Sequence, residues 1–112
     1  MIVGEFVIVA AGILVAAVAR GTATGRIGRN HFAGIRTKRS MADDESWTIV
    51  HRGAQPWMIA GGALIVLSGA IAAAVPAEPA SAIVIGAGVV IALACTLAGV
   101  LAGHRALSER AR

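Results

Sequence analysis

The side chains able to do chemistry crowd into one stretch of this 112-residue chain, between Arg20 and Pro56. It carries His31 and His51, the adjacent acids Asp43, Asp44 and Glu45, and the basic residues Arg20, Arg26, Arg29, Arg36, Lys38, Arg39 and Arg52. The histidines and acids have the right atoms for a metal, but their spacing matches no known ligand pattern. Arg36 and Arg52 offer a different chemistry, because guanidinium groups match phosphate geometry and suit an anion or a lipid headgroup. The plainer reading of the same charges is topological: basic residues that touch an anionic lipid surface. No nucleophile–base–orienter set, phosphate loop or cofactor fingerprint occurs, so neither an enzyme, a cofactor nor a metal is indicated. Outside the stretch, Cys95 sits in an apolar run and reads as a small packed side chain. His104 falls at the end of another such run, an interfacial position.

Three elements must position this stretch, and each is apolar. Charged residues make up 14% of the chain against 57% hydrophobic, with a mean hydropathy of +0.79. A soluble domain carries about a quarter charged residues. Segments 1–19, 57–75 and 82–103 hold a single charge among them, Glu5. At 1.5 Å per residue, helices of about 19 to 22 residues cross roughly 28 to 33 Å, the thickness of the bilayer core. None has a polar face, so none suits the surface of a soluble fold. The first lacks the basic residues that precede a secretory signal's apolar core, and is predicted to be retained. Glu5 lies near the outer end of that helix, where the dipole favours a carboxylate and a proton relay is the alternative role.

Orientation follows from lysine and arginine. All ten lie in segment 20–56 or in the tail 104–112, which holds Arg105, Arg110 and Arg112. None lies in the turn 76–81 or before the first apolar run. This pattern predicts three spans, the N-terminus outside, and the loop and C-terminus on the cytoplasmic side of a bacterial inner membrane. The same distribution argues against nucleic acid and for a bilayer with anionic lipids as the partner.

Close packing of membrane helices favours small residues. Gly4, Gly12 and Ala16 mark a face of the first helix, and Gly61 and Gly69 one of the second. Cys95, Gly99 and Gly103 mark one of the third, beside Ala94, Ala98 and Ala102. These faces serve either packing within a three-helix bundle or contact with another membrane protein. The short turn 76–81 makes the second and third helices antiparallel neighbours. Within the loop, glycines make residues 25–39 irregular. Ser40 with Asp43 fits a capping box for a short helix over 41–54, and Trp47, Val50 and Ala54 share one of its faces. Pro56 marks a boundary or kink before the second span. Trp47 and Trp57 read most simply as interfacial anchors.

Asn30, the run Gly34-Ile35-Arg36-Thr37, Ser40, Trp47 and the pair His51-Arg52 resemble the signature loop of the SdpI family, over roughly residues 25–60. The three-span hydropathy resembles that family's C-terminal module; the founding member is longer, and Lys38 stands where it tends to have proline. The resemblance implies an all-α integral membrane domain over 1–112, three transmembrane helices with a basic cytoplasmic loop containing a short helix. It also implies a non-enzymatic role in immunity to, or sensing of, a secreted membrane-active peptide toxin. Asn30, Gly34, Arg36, Thr37, Ser40, Trp47, His51 and Arg52 would then bind the ligand or a partner. The alternative is an accessory subunit of a larger membrane complex, packed through its glycine and alanine faces. An enzyme or transporter ranks below both, because polar residues within the spans are nearly absent.

Overall fold

The computed structural model describes residues 2–75 and 78–110. Met1, the Pro76-Ala77 part of the predicted turn and Arg112 of the predicted tail lie outside these residues. Three helices follow one another: α1 (Ile2–Thr24), α2 (Asp44–Ala74) and α3 (Ala80–Arg110). All three are long and apolar enough to cross a membrane, and their outward faces are greasy; Leu97 and Leu101 are 66% and 68% exposed. Exposed apolar surface on this scale fits lipid and not water. The chain is a multi-pass membrane protein.

The central helix is α2. It packs against both α1 and α3, whose backbones stay more than 8 Å apart, Cα to Cα, among the described residues. Glycine permits the close approach. A β-carbon on Gly12 would meet the Gly62 carbonyl at 2.6 Å, and one on Gly103 would collide with the Val50 carbonyl. Gly61 backs onto Ala92 and Cys95, and Gly69 onto Glu5 and Val9. The glycines at these positions thus close the bundle itself, whereas Gly4 faces open space and Ala94 of the neighbouring alanine stripe is exposed.

The second and third helices are longer than their apolar runs. Each has 31 residues, about 46 Å of axis against a hydrocarbon core of about 30 Å. This corrects two sequence expectations. The short loop helix over 41–54 is the first part of α2, which runs through Pro56 unbroken. The tail 104–112 is not separate either, since α3 continues to Arg110. A proline removes one backbone donor, and packing on both sides holds the helix together around it.

The helix start is also displaced. Asp43, not Ser40, is the N-cap, its carboxylate accepting the Ser46 N–H at 2.7 Å. That bond, helped by the Ser46 side chain, holds the Asp43 carboxyl below its ordinary value. Glu45 pairs with Arg110 at the end of α3, and Asp44 with Arg29 of the loop at 2.8 Å. Both pairs join exposed groups and add little stability. They do tie the basic ends of the elements together.

A buried cap at the basic end

Between α1 and α2 the chain folds back over the helix ends. Gly25, in left-handed backbone at φ +86°, follows the last residue of α1, the usual place for glycine after a helix. Asn30 then organises the next turn by itself. Its Oδ1 accepts the N–H groups of Phe32 and Ala33 at 2.8 and 2.7 Å, and its Nδ2 donates to the carbonyls of Gly28 and Ala33. An Asx turn of this kind replaces ladder hydrogen bonds in an irregular segment.

Gly34 brings the chain against α2. It has φ +104°, and a β-carbon there would meet His51 Nε2 and the Trp47 ring at 2.8 Å. Both the backbone conformation and the space therefore exclude a side chain. The next residue makes the anchoring contact: the Ile35 N–H donates to His51 Nε2 at 2.8 Å. His51 Nδ1 donates to the Trp47 carbonyl one turn earlier at 2.7 Å. With one nitrogen donating and the other accepting, the imidazole is the neutral Nδ1–H tautomer. Its ring packs on Trp47 with centroids 4.1 Å apart, and Trp47 Nε1 donates to the Ile27 carbonyl at 2.9 Å. Trp47 and His51 are 1% and 0% exposed.

A second set of bonds ties the loop to α3. Thr37 Oγ1 lies 2.7 Å from His104 Nε2, while His104 Nδ1 bonds the Val100 carbonyl at 2.7 Å. With Nδ1–H used in this way, the threonine hydroxyl donates to Nε2 and accepts the Ser40 N–H at 3.1 Å. Ser40 Oγ, fully buried, donates to the Ile35 carbonyl at 2.6 Å and accepts the Thr37 N–H at 2.9 Å. Beneath lie Ala19 of α1, Val50, Ala54 and Met58 of α2 and Ile35, with Val100 and Leu107 of α3 packed against them. All three helices meet the loop at this node.

The signature residues thus fall into two groups. Asn30, Gly34, Thr37, Ser40, Trp47 and His51 build the cap from inside, and the buried ones have no surface to offer a ligand. The interfacial role expected for Trp47 is corrected accordingly; Trp57, 46% exposed, keeps an outward face. Arg36 and Arg52 remain on the surface. Arg52 Nε donates to the Ala23 carbonyl at 3.3 Å, satisfying a free carbonyl at the end of α1. Arg36 donates one N–H to the His31 carbonyl and has no carboxylate within ion-pair distance among the described residues.

Sequence reasoning missed His104 as a cap residue. The signal available was its spacing: it stands one residue beyond Gly103, whose missing side chain lets α3 press on Val50. Among the described residues, no three His, Cys, Asp or Glu side chains come together as a metal site. At the opposite end of the bundle, Glu5 is 8% exposed and its Oε2 has no hydrogen-bond partner among the described residues.

Comparison with known proteins bears on this same region. The family model described as the SdpI/YfhL protein family matches residues 26–101, from the start of the loop to the middle of the last helix. The chain belongs to the SdpI/YfhL family. Membership implies a membrane protein of immunity type, and the match takes in every signature residue of the cap from Asn30 to Arg52 but not His104. No curated protein and no solved structure matches the chain.

Proposed function

We propose that this protein protects a bacterial membrane against a membrane-active peptide, or senses one, without catalysing a reaction. The observation that carries the reading is the division within the cap. Ser40, Trp47 and His51 are buried and, with Gly34 and Thr37, form a node bonded to α2 and α3 and packed over Ala19 of α1, and the node holds Arg36 outward beside the gap between α1 and α3. An ordered node of this kind differs from a generic basic anchor, which needs charge but no hydrogen-bonded architecture. A change in how α1 and α3 sit around α2 would reach the loop through His51 and His104.

In this reading the cap lies on the cytoplasmic side of the inner membrane and the N-terminus outside, an orientation supported by the one-sided distribution of basic residues. Peptide contact would occur within the membrane, and the cap would pass the event to a partner through Arg36. The test is a survival assay. A peptide-sensitive bacterium expressing the chain should outlive the empty-vector strain on challenge with a membrane-active peptide, and lose that advantage with Arg36→Ala at equal abundance. Equal killing of both strains across a panel of such peptides would remove the protective reading.

A second reading, an accessory subunit of a larger complex, finds less support. The glycine faces that would have served a partner are mostly occupied within the bundle, at Gly12, Gly61, Gly69, Gly99 and Gly103.

A further inference from the structure

We propose that the gap between α1 and α3 at the basic end seats the upper part of one acyl chain of an anionic phospholipid, with the lipid phosphate on Arg36. The gap exists because α1 and α3 each pack on α2 and not on each other. It forms a trough of about 520 Å³ whose walls are Leu14 and Val18 of α1 and Val100 of α3, with Met58 of α2 also lining it. Arg36 and Thr37 line its loop end. The volume falls in the range of roughly 300–1,000 Å³ typical of small-molecule sites, as does the plan of apolar walls with a few convergent polar groups.

Charge identifies the occupant. Arg29 is paired with Asp44, Arg110 with Glu45, Arg39 donates to Ser108 and Arg52 to Ala23. Arg36 alone among these five lies at the trough and keeps most of its guanidinium fork free of hydrogen bonds among the described residues. A planar fork of N–H donors is built to hold phosphate in a bidentate pair. A phosphate at that point leaves the attached chain entering the trough, with Phe32, 92% exposed, beside the headgroup. The wall on α1 from Leu14 to Val18 is about 6 Å of helix axis. That length suits part of an acyl chain and is too short to seat a transmembrane helix. The proposal does not depend on the peptide reading, since it concerns the protein in the absence of any peptide.

The test uses the full chain purified in an uncharged detergent and native mass spectrometry. The ligands are phosphatidylglycerol and phosphatidylcholine with the same acyl chains, and glycerol phosphate as a headgroup without chains. One phosphatidylglycerol should be retained per protein, with phosphatidylcholine and glycerol phosphate held far less. Arg36→Ala should weaken retention roughly tenfold, the scale of a lost charge-assisted phosphate contact, and Arg39→Ala should leave it unchanged. Val18→Trp, which fills the trough, should also release the lipid while the helical circular dichroism stays that of the parent. Equal retention of the two lipids overturns the preference for an anionic lipid, and no effect of Arg36→Ala overturns the phosphate contact. Full retention by Val18→Trp overturns the trough, and binding of glycerol phosphate as tight as that of the lipid shows an anion site without a lipid. A dimer or a co-purified peptide filling the gap in place of lipid would contradict the proposal as well.

Discussion

His51 Nε2 accepts the Ile35 N–H at 2.8 Å inside the basic end of the bundle, so a residue at the start of one helix fixes the path of the loop that precedes it. The contact requires a neutral imidazole with its proton on Nδ1, where the Trp47 carbonyl takes it. It also requires Gly34, because any side chain there would stand where the imidazole and indole already are.

Replacing His51 by alanine should loosen the loop without unfolding the helices. The Ile35 amide would be left buried without an acceptor, a cost of about 1–3 kcal/mol. Amide hydrogen exchange in detergent should speed up at Ile35 and Thr37 and stay slow across the apolar half of α2. Unchanged protection of the Ile35 amide would show that the hydrogen bond does not hold the loop.

Trp47→Ala removes the largest fully buried side chain of the cap and its bond to the Ile27 carbonyl. Truncating a buried aromatic costs about 3–5 kcal/mol. The variant should therefore melt earlier in mild detergent and accumulate less in cells, so its loss of function alone says nothing about ligand contact. Parent-like melting would show that Trp47 is not a structural residue.

Gly103→Ala should destabilise the contact between α2 and α3, because the added carbon overlaps backbone at Val50 rather than a movable side chain. Overpacking of this sort costs about 1–3 kcal/mol. Gly86→Ala, on the same helix but facing open space, should be neutral or slightly stabilising through helix propensity. Thermal melts of the two variants side by side make the comparison. Equal melting temperatures would mean that α3 does not approach α2 as closely as Gly103 indicates.

Orientation is tested by labelling. With Cys95 replaced, a cysteine at the exposed Lys38 position should react with an impermeant maleimide only after the inner membrane is opened. One at the exposed Ala80 position should react in intact cells. The reverse pattern would invert the topology drawn from the basic residues.

The sequence made the three helices plain, since their apolar runs lack any polar face and match the bilayer thickness. It also showed that Trp47, Val50 and Ala54 share a face, and that face is buried. What it could not show is where the apolar run stops being the helix. Pro56 reads as a boundary or a kink, and α2 continues through it as one helix. Ser40 reads as an N-cap because serine caps helices, yet its hydroxyl is already used by Ile35 and Thr37. The site was legible as a motif but not as an arrangement. Gly34, Thr37, Ser40, Trp47 and His51 belong together because they bond one another or line one node, while Asn30 shapes the turn leading into it, and spacing alone does not separate such residues from those that face a partner. His104 joins them from far along the chain through Thr37, and its place beside Gly103 signals a close helix contact but not its partner in the loop.

Arg36 is the outward group proposed to act in a cap whose other signature residues hold its structure. The direct measurement is survival, or a reporter response, on challenge with a membrane-active peptide for Arg36→Ala, Arg39→Ala and Arg20→Ala, with abundance and melting matched to the parent. Arg36→Ala should lose the response while remaining folded, and the other two should retain it, since each removes one basic residue worth only about 1 kcal/mol of attraction to an anionic surface. If all three variants respond like the parent, or all three fail alike, the cap is a basic anchor and Arg36 has no special place in it.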